Sequence, residues 1–250
     1  MVQMNKCRNC KSKKLKKVIY IGKQVVSSIF PAKKSNNNKK YSLDLYECQN
    51  CKLVQLGKSI PLGNMYGETY GYRSSLSKLM VNHLNAKFKK IKKLLKLKNN
   101  SNILDIGSSD STFLNFFSNE KKGYKCIGID PSAKKYLKYY NNDVNLVVDY
   151  FSAKSVLKKL NDLNFKNKKF KLISSFAMFY DIDDPNGFCK DISSLLEKDG
   201  LWILEMSYFP MLLSNLTYDQ ICHEHVTYYT LLVFKKIIEQ NGLKLIDFSF

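Results

Sequence analysis

The chain has 250 residues, of which 44% are hydrophobic and 25% are charged. This is an ordinary globular composition, with enough residues for one large domain or for a medium domain with a small partner. No run of 18 apolar residues is present, which excludes a membrane-spanning helix. The first ten residues lack the apolar segment of a secretory signal, so we expect a cytoplasmic protein.

Basic residues outnumber acidic residues by 41 to 21, and the excess lies in the first 100 residues, which hold 23 lysines and arginines against three acids. The other 150 residues are neutral overall, with 18 basic and 18 acidic residues. This asymmetry indicates two functional parts and predicts an anionic partner for the first. Nucleic acid is disfavoured as that partner, because aromatic residues do not alternate with the lysines. No feature of the sequence indicates an oligomeric state.

Four of the seven cysteines form two Cys-x-x-Cys pairs, Cys7 with Cys10 and Cys48 with Cys51, separated by 37 residues. Two such pairs supply the four thiolates of a tetrahedral Zn²⁺ site. A disulfide framework is disfavoured by the odd number of cysteines and by the missing signal, and a redox pair by the lack of a βαβ context. The sequence therefore predicts a structural zinc, with residues 35–40 as a solvated loop between the pairs.

Residues 75–98 have apolar side chains at steps of three and four and lysines on most other faces. This pattern predicts an amphipathic helix that packs on a following domain.

From residue 101 onward, short apolar segments alternate with helical patterns, which predicts a parallel, doubly wound α/β sheet. Ligands of such sheets bind at the carboxyl ends of the strands. The predicted strands are 102–106, 125–129, 145–148, 171–175, 201–205 and 244–248, and the predicted helices are 112–118, 133–139, 153–160, 187–196 and 231–240.

The first predicted strand leads into a loop that contains Asp105, Gly107, Ser108 and Asp110. Gly107 permits a tight turn and a close approach of ligand to backbone. The loop lacks the other glycines of Gly-x-Gly-x-x-Gly, which disfavours a pyrophosphate-containing dinucleotide. Its acidic residues instead favour a cationic or zwitterionic ligand.

The next two strand ends carry Asp130-Pro131 and Asp149-Tyr150-Phe151. An acid about 20 residues beyond the loop is placed to accept hydrogen bonds from ribose hydroxyls, and the polar and aromatic third edge suits a purine ring. The three strand ends together predict an adenosine-type ligand without a pyrophosphate, namely S-adenosylmethionine.

Segments along nearly the whole chain carry a family resemblance. The most specific are Tyr-Gly-Tyr-Arg-Ser at 70–74 and Tyr-Asp-Gln-Ile-Cys-His-Glu-His at 218–225; the others are 7–10, 21–31, 48–56, 65–69, 103–114, 177–185 and 205–210. In these segments the sequence resembles the zinc-containing, S-adenosylmethionine-dependent sugar C-methyltransferases, which act on nucleotide-linked ketodeoxysugars.

The resemblance implies a class I methyltransferase fold, which is a Rossmann-like doubly wound sheet, with a small N-terminal zinc-binding domain. The expected domains are a zinc-binding domain at 1–64, a linker with the amphipathic helix at 65–100, and an S-adenosylmethionine-binding methyltransferase domain at 101–250. The family continues into a further C-terminal domain, so we expect this chain to be a truncated form.

C-methylation requires a base that removes a proton next to the ketone, and an imidazole, which titrates near ~6.5, suits this role. The spacing of His223 and His225 places them on one face only in an extended segment. The resemblance implies three groups of site residues: catalytic His225, Glu224, His223 and Tyr72; substrate-binding Tyr70, Arg73 and Cys222; and cofactor-binding Ala177 and Met178, which join Asp105, Gly107, Ser108, Asp110, Asp130, Pro131, Asp149, Tyr150 and Phe151.

Three positions depart from the family pattern. Ser109 and Ser111 stand in the cofactor loop where the family has Asn and Gly, which we expect to loosen packing or to weaken cofactor binding. Cys222 stands where the family often has Tyr, which we interpret as a difference in substrate.

Three other functions fit the same sequence. The acceptor atom could be an oxygen or nitrogen of a sugar or small molecule, which would demand less of the base. The chain could instead be a basic zinc module that binds nucleic acid, or a non-catalytic remnant of a methyltransferase.

Overall fold

The computed structural model describes residues 2–3, 5–27, 39–61, 63, 65–66 and 70–250. Most of the predicted loop at 35–40 and residues 67–69 of the resembling segments lie outside the described residues. The chain forms two compact units. Unit 1 comprises Met1–Tyr70, Ala177–Lys190 and Met206–Phe250, and unit 2 comprises Gly71–Phe176 and Asp191–Glu205. These units follow packing rather than chain order, so the domain boundaries at 64 and 100 stay a prediction.

The strands, in chain order, are β1 Val2–Gln3, β2 Leu15–Ile19, β3 Lys23–Val25, β4 Lys40–Ser42, β5 Leu45–Cys48, β6 Val54–Leu56, β7 Lys58–Ser59, β8 Asn102–Ile106, β9 Lys125–Ile129, β10 Val144–Val147, β11 Phe170–Phe176, β12 Leu196–Glu205 and β13 Thr227–Tyr228.

The α-helices are α1 Lys78–Leu94, α2 Thr112–Ser118, α3 Ala153–Asp162, α4 Pro185–Leu195, α5 Phe209–Ser214 and α6 Leu231–Glu239, with 3-10 helices at Ser74–Leu76, Ala133–Tyr139, Phe179–Asp181 and Tyr218–Gln220. Within the part of the chain that the structure describes, no helix is long and apolar enough to cross a membrane.

Unit 2 contains a five-stranded parallel sheet in the order β10-β9-β8-β11-β12. β8 is buried along its whole length and lies between β9 and β11, with Ile106 opposite both Ile129 and Ser175. The chain leaves β8 toward β9 and leaves β11 toward β12, on opposite sides, so the topological switch point lies between β8 and β11. This arrangement confirms the predicted doubly wound α/β fold.

Helix α1 begins at Lys78 because the Ser77 side chain accepts a hydrogen bond from the Met80 amide. Its buried face, Leu84, Phe88 and Ile91, packs into the core of unit 2. Helix α2 contributes aromatic residues to that core, and the Phe88 and Phe117 rings meet edge to face with centroids 4.8 Å apart. The amphipathic helix predicted at 75–98 is therefore shorter than its sequence pattern.

Unit 1 contains a four-stranded antiparallel sheet in the order β13-β6-β5-β2. β13 comes from far along the chain and pairs with β6, so that Thr227 lies opposite Gln55 and Tyr228 opposite Val54. A strand of two residues leaves no periodic signal, and the sequence did not predict this pairing. Residues from both parts of the chain share the core of this sheet: Leu43, Leu45, Val54, Leu56, Leu212, Ile221, Val226 and Tyr228.

The predicted sixth strand at 244–248 is wrong. In the described residues that follow α6, the chain turns at Gly242, with φ +80°, and forms no further strand. The Ile246 and Phe248 side chains are 71% and 55% exposed. Periodicity records which side chains alternate but not whether a neighbouring strand is present to pair with the backbone. The predicted helix at 133–139 is a 3-10 helix.

Candidate functional site

Four cysteines of unit 1 converge on one point. The Sγ atoms of Cys7, Cys10, Cys48 and Cys51 all lie within 4.8 Å of one another. The Cys7–Cys51 and Cys10–Cys48 sulfur pairs are 3.5 Å apart, close to the edge of about 3.8 Å that a zinc tetrahedron with 2.3 Å bonds requires. All seven cysteines are free thiols. The donor set and its geometry fit Zn²⁺.

The thiols of this cluster differ in protonation. The hydrogen bond with Cys51 raises the pKa of the Cys7 thiol, and the same bond lowers the pKa of the Cys51 thiol to about 5. Burial raises the pKa of the Cys48 thiol. Cys51 therefore favours the thiolate, the form in which cysteine binds zinc, and Zn²⁺ would displace the protons of Cys7 and Cys48.

Arg8 stands between two of the zinc ligands and is fully buried. Its Nε donates to Asp183 Oδ1 at 3.1 Å, its Nη1 donates to the Leu56 carbonyl at 2.7 Å, and its Nη2 donates to Ser59 Oγ. A buried guanidinium is tolerated when its donors are satisfied in this way. The zinc-binding turn is thereby tied to β6 and to the segment that precedes α4.

The cofactor loop of unit 2 follows β8 and uses left-handed backbone at three positions. Gly107, Ser109 and Ser111 have φ of +73°, +50° and +64°. Such a conformation costs a non-glycine residue about 1–2 kcal/mol, which explains why the resembling family has Asn and Gly where this chain has serine. Hydrogen bonds hold the loop, including one of 2.9 Å from the Gly107 amide to the Ile129 carbonyl.

Asp130, at the end of β9, braces this loop. Its Oδ2 accepts a 2.9 Å hydrogen bond from the Ser109 amide, and its Oδ1 accepts bonds of 2.7 Å from both the amide and the hydroxyl of Ser132. These bonds fix the carboxylate orientation at the strand end. Each oxygen keeps acceptor capacity for a ligand hydroxyl, as the sequence predicts for Asp130 together with the neighbouring Pro131.

Asp110 anchors the other end of the loop. It accepts hydrogen bonds from the Ser75 amide at 3.0 Å and from the Thr112 hydroxyl at 2.6 Å. Burial alone would raise the pKa of Asp110, but these hydrogen bonds outweigh burial and lower it. The Arg73 guanidinium lies 3.8 Å from Asp110 and 4.5 Å from the centre of the Tyr139 ring. The predicted substrate residue Arg73 thus contacts the cofactor loop of its own unit.

Ser108 and Gly128 make the closest approach between the loop and the sheet. Ser108 Oγ lies 2.8 Å from the Tyr140 hydroxyl, which donates in turn to the Ser109 carbonyl at 3.0 Å. A Cβ placed on Gly128 would lie 2.5 Å from Ser108 Oγ and 2.8 Å from Ser108 Cβ. Gly128 is therefore a site residue that the sequence analysis missed, although its position inside a strand was a signal.

Asp105 lies inside β8 and is 3% exposed. Burial raises the pKa of its carboxyl to about 7, although the Ser174 hydroxyl donates a 2.6 Å hydrogen bond to it. The nearby charge of Asp130 adds to the rise. A ligand cation near Asp105 would favour the ionised form.

The third strand end is more open than the first two. Asp149 accepts hydrogen bonds from the Tyr150 amide at 2.8 Å and from the Ser155 hydroxyl at 2.6 Å, and the Tyr150 ring is 41% exposed. Phe151 is half-buried. β11 ends immediately before Ala177, which has φ +52° and is exposed, followed by half-buried Met178. The cofactor-binding roles of Asp149, Tyr150, Phe151, Ala177 and Met178 stay predictions.

Residues 218–225 of unit 1, the histidine segment, contain both His223 and His225. A backbone carbonyl within this segment fixes the tautomer of His225. Its Nδ1–H donates a 2.8 Å hydrogen bond to the Gln220 carbonyl, so the neutral ring carries its lone pair on Nε2. No described residue hydrogen-bonds to that Nε2. The ring is 4.1 Å from the Tyr180 ring, centre to centre, and burial lowers the pKa of His225.

The other members of this segment have different surroundings. His223 is 1% exposed, and its Nε2 donates to the Tyr41 carbonyl at 3.1 Å. Glu224 accepts hydrogen bonds of 2.8 and 3.0 Å from the Ser27 hydroxyl. Cys222 is half-buried, and burial raises the pKa of its thiol to about 12. Nδ1 of His223 and Nε2 of His225 both lack a hydrogen-bond partner among the described residues, but Nδ1 of His223 is buried, whereas the His225 side chain is only half-buried. His225 is thus the more accessible base.

Sequence reasoning also missed a buried acid beside this segment. The Tyr66 hydroxyl donates a 2.7 Å hydrogen bond to Oδ2 of Asp181, and the Tyr66 and Tyr70 rings are 5.0 Å apart. Burial raises the pKa of Asp181 well above its usual range, and the charge of Glu224 contributes. Tyr72, in unit 2, is 48% exposed. The roles predicted for Tyr70 and Tyr72 stay predictions.

Comparison with known families decides the class of protein. A family model described as a methyltransferase domain matches residues 80–247, which is more than half of the chain, and a model described as a zinc binding domain matches residues 7–66. The chain belongs to the methyltransferase domain family. The predicted methyltransferase class and the predicted zinc-binding part are confirmed, and the four cysteines provide a donor set for Zn²⁺.

Individual relatives are more distant. The C-methyltransferase NovU from Streptomyces niveus is 24% identical to this methyltransferase over 207 residues, which are 83% of this chain and 48% of NovU. The chain therefore spans about half the length of this curated relative.

Two solved structures share the fold. The plantazolicin methyltransferase BpumL, in complex with a pentazolic desmethylPZN analog and SAH, is 16% identical, with a TM-score of 0.50 over 67% of this chain and 65% of its own. The PH0226 protein from Pyrococcus horikoshii OT3 is also 16% identical, with a TM-score of 0.50 over 68% of this chain and 84% of its own. At this identity the likeness concerns the fold alone.

Proposed function

We propose that this methyltransferase is a C-methyltransferase that acts on a nucleotide-linked ketodeoxysugar in the cytoplasm. The observation that carries the proposal is the fixed tautomer of His225, which leaves Nε2 as an available base. The similarity to NovU, which is named a C-methyltransferase, and the resemblance of residues 70–74 and 218–225 to sugar C-methyltransferases support the same reaction. The free cysteines fit a reducing compartment.

Carbon becomes a nucleophile when a neighbouring ketone makes its C–H bond acidic. His225 Nε2 takes the proton, and the electron pair of the C–H bond moves into an enolate. Because burial lowers the pKa of His225, the imidazole is neutral and basic at pH 7. Bound S-adenosylmethionine supplies an electrophilic methyl group for the enolate carbon.

The strand ends of unit 2 would hold S-adenosylmethionine, the methyl donor. Asp130 and Asp149 would accept hydrogen bonds from the ribose hydroxyls or the adenine edge, Tyr150 and Phe151 would contact the purine, and the loop from Asp105 to Asp110 would hold the methionine moiety. Pro131 would contact the cofactor beside Asp130, and Ala177 and Met178 keep the cofactor-binding role that the family resemblance implies.

Tyr70, Tyr72 and Arg73 would bind the methyl acceptor, the nucleotide-linked sugar, because phenols and guanidinium suit phosphate and sugar oxygens. The lysine excess of the first 100 residues would attract a nucleoside diphosphate. Cys222 would contact the sugar, and Glu224 and His223 would orient the base or the sugar.

The test is a transfer assay with [¹³C-methyl]-S-adenosylmethionine and a set of nucleoside diphosphate 4-keto-6-deoxysugars, read by NMR of the product. We expect a methyl group bonded to carbon. His225→Asn is expected to slow transfer roughly 10²–10⁴-fold, the usual contribution of a general base, whereas His83→Asn, a matched change outside the proposed base, leaves the rate unchanged. A methyl group on oxygen or nitrogen, formed at a rate that His225→Asn barely changes, would assign the chain to heteroatom methylation.

A further inference from the structure

Asp181 is a buried acid to which the proposed reaction assigns no role. It closes the 3-10 helix Phe179–Asp181 and is 8% exposed. Its Oδ2 accepts the 2.7 Å hydrogen bond from the Tyr66 hydroxyl. Its Oδ1 is buried and has no hydrogen-bond partner among the residues that the structure describes. Buried polar atoms without partners are rare in folded proteins, and each requires an explanation.

The charge state of Asp181 turns this oxygen into a donor. Burial raises the pKa of the carboxyl well above its usual range, and the negative charge of Glu224 acts in the same direction. Burial therefore favours the protonated, neutral acid over the carboxylate. Because Tyr66 donates to Oδ2, the proton of the acid resides on Oδ1, as a buried O–H group that lacks an acceptor.

The surroundings of Asp181 are those of the histidine segment. Tyr180, the preceding residue, packs against the ring of His225. The Tyr228 hydroxyl is also buried; burial and the charges of Asp181 and Glu224 raise its pKa, whereas a hydrogen bond from the Cys222 backbone lowers it. Asp181, Tyr228 and Glu224 thus belong to one polar cluster, and the charge of Glu224 also acts on the proposed base, His225.

We propose that Asp181 is a catalytic residue that donates a hydrogen bond from Oδ1 to the ketone oxygen of the acceptor, with Tyr66 as the positioning residue that fixes which oxygen donates. This inference rests on the proposed C-methylation. A carboxylic acid that its site keeps neutral can act as such a donor, and a donor aimed at the oxygen where charge develops stabilises the transition state in a dry site.

Protons and electrons balance in enolate formation and in the methyl transfer that follows it. The C–H bond next to the ketone breaks, its proton goes to His225 Nε2, and its electron pair forms a C=C bond as the carbonyl π pair moves onto oxygen. Asp181 keeps its proton and shares it with that oxygen. When the enolate carbon takes the methyl group, the oxygen pair returns to the C=O bond, and the sulfur of the donor retains the pair of the broken C–S bond.

The experiment measures this first half-reaction alone. The zinc-loaded chain with S-adenosylhomocysteine is incubated in D₂O with nucleoside diphosphate 4-keto-6-deoxysugars, and NMR follows the loss of the protons next to the ketone. The variants are Asp181→Ala, which removes the donor, and Tyr66→Phe, with Asp184→Ala, at a solvent-exposed aspartate three residues away, as the matched control. Infrared difference spectra between wild type and each variant report whether Asp181 carries a neutral carboxyl.

We expect Asp181→Ala to slow exchange about 10²-fold, as removal of one such donor does, with little change in substrate affinity and with loss of a neutral-carboxyl band at pH 7. Tyr66→Phe should slow exchange less, and Asp184→Ala should match the wild type. Exchange in the wild type that Asp181→Ala leaves unchanged, or slows only through weaker binding, would overturn the role of Asp181 alone. No exchange in the wild type would overturn the proposed ketone chemistry, and this inference with it.

Discussion

Asp105 shows how one carboxyl can make stability depend on pH. Burial raises its pKa from 3.8 to about 7 in the folded chain, so the fold favours the protonated form. The stability that this form contributes is fully present below the unfolded pKa and is lost as the pH rises through about 7. The charged form is the costly one, because β8 surrounds it with buried residues.

Asp105→Asn cannot ionise but can still accept the hydrogen bond from Ser174. We expect the free energy of unfolding of this variant, relative to wild type, to rise by roughly 1–3 kcal/mol between pH 5 and pH 8 in the absence of ligand. Urea unfolding at the two pH values measures it. A constant difference would mean that Asp105 titrates at an ordinary pKa.

Residue identities could be predicted where chemistry has a short-range signature. The spacing of the four cysteines predicted the zinc cluster, and the acids at the strand ends predicted the position of the cofactor loop. Asp181 could not be found in this way, because what distinguishes it is burial and the hydrogen bond from Tyr66, 115 positions away in sequence. Its segment, 177–185, has no chemical signature of its own and stands out only by the family resemblance.

At the scale of elements, β9 and the cofactor loop depend on the absence of one side chain. A Cβ on Gly128 would overlap Ser108, whose backbone cannot move without disturbing the bond between Ser109 and Asp130. We expect Gly128→Ala to destabilise unit 2 by about 1–3 kcal/mol and to weaken S-adenosylhomocysteine binding.

Gly71→Ala is the matched control, because a Cβ at Gly71 meets nothing within 4 Å. Thermal unfolding and calorimetric titration of both variants make the comparison. Equal effects of the two substitutions would show that the approach of Ser108 to Gly128 does not control the loop.

The zinc-binding turn and β13 belong to one element network, because Arg8 bonds to β6 and β6 pairs with β13. A structural zinc contributes on the order of 10 kcal/mol to folding. We expect chelation of zinc to abolish hydrogen-exchange protection of β5, β6 and β13 while S-adenosylhomocysteine still binds to unit 2. Protection of β13 that survives chelation would contradict this coupling.

Element predictions succeeded where the pattern was long and regular. β8, β9 and α2 have their predicted bounds, because each is a continuous buried strand or a helix after a recognisable loop. The strand at 244–248 failed for lack of a pairing partner, and β13 was missed because two residues show no period.

At the scale of the whole molecule, the sequence predicted the fold class and the presence of a zinc-binding part. It did not predict that residues 177–190 and 206–250 pack with the N-terminal residues in unit 1. Long-range packing of this kind comes from core residues such as Leu45, Leu212 and Val226. The sequence shows that these residues are apolar but not which other residues they pack against. The net charge of +20 remains the feature that a nucleic-acid-binding function would also explain.

Calorimetric titration of the zinc-loaded chain with S-adenosylhomocysteine therefore tests most directly whether the chain has a working cofactor site. We expect saturable one-to-one binding that Asp130→Ala abolishes, because Asp130 holds the Ser109 amide and the start of the following turn. Asp162→Ala, at an exposed position in α3, should bind like the wild type. No binding by the wild type, together with steeply salt-dependent binding to arbitrary DNA, would contradict the enzyme and indicate a basic zinc module.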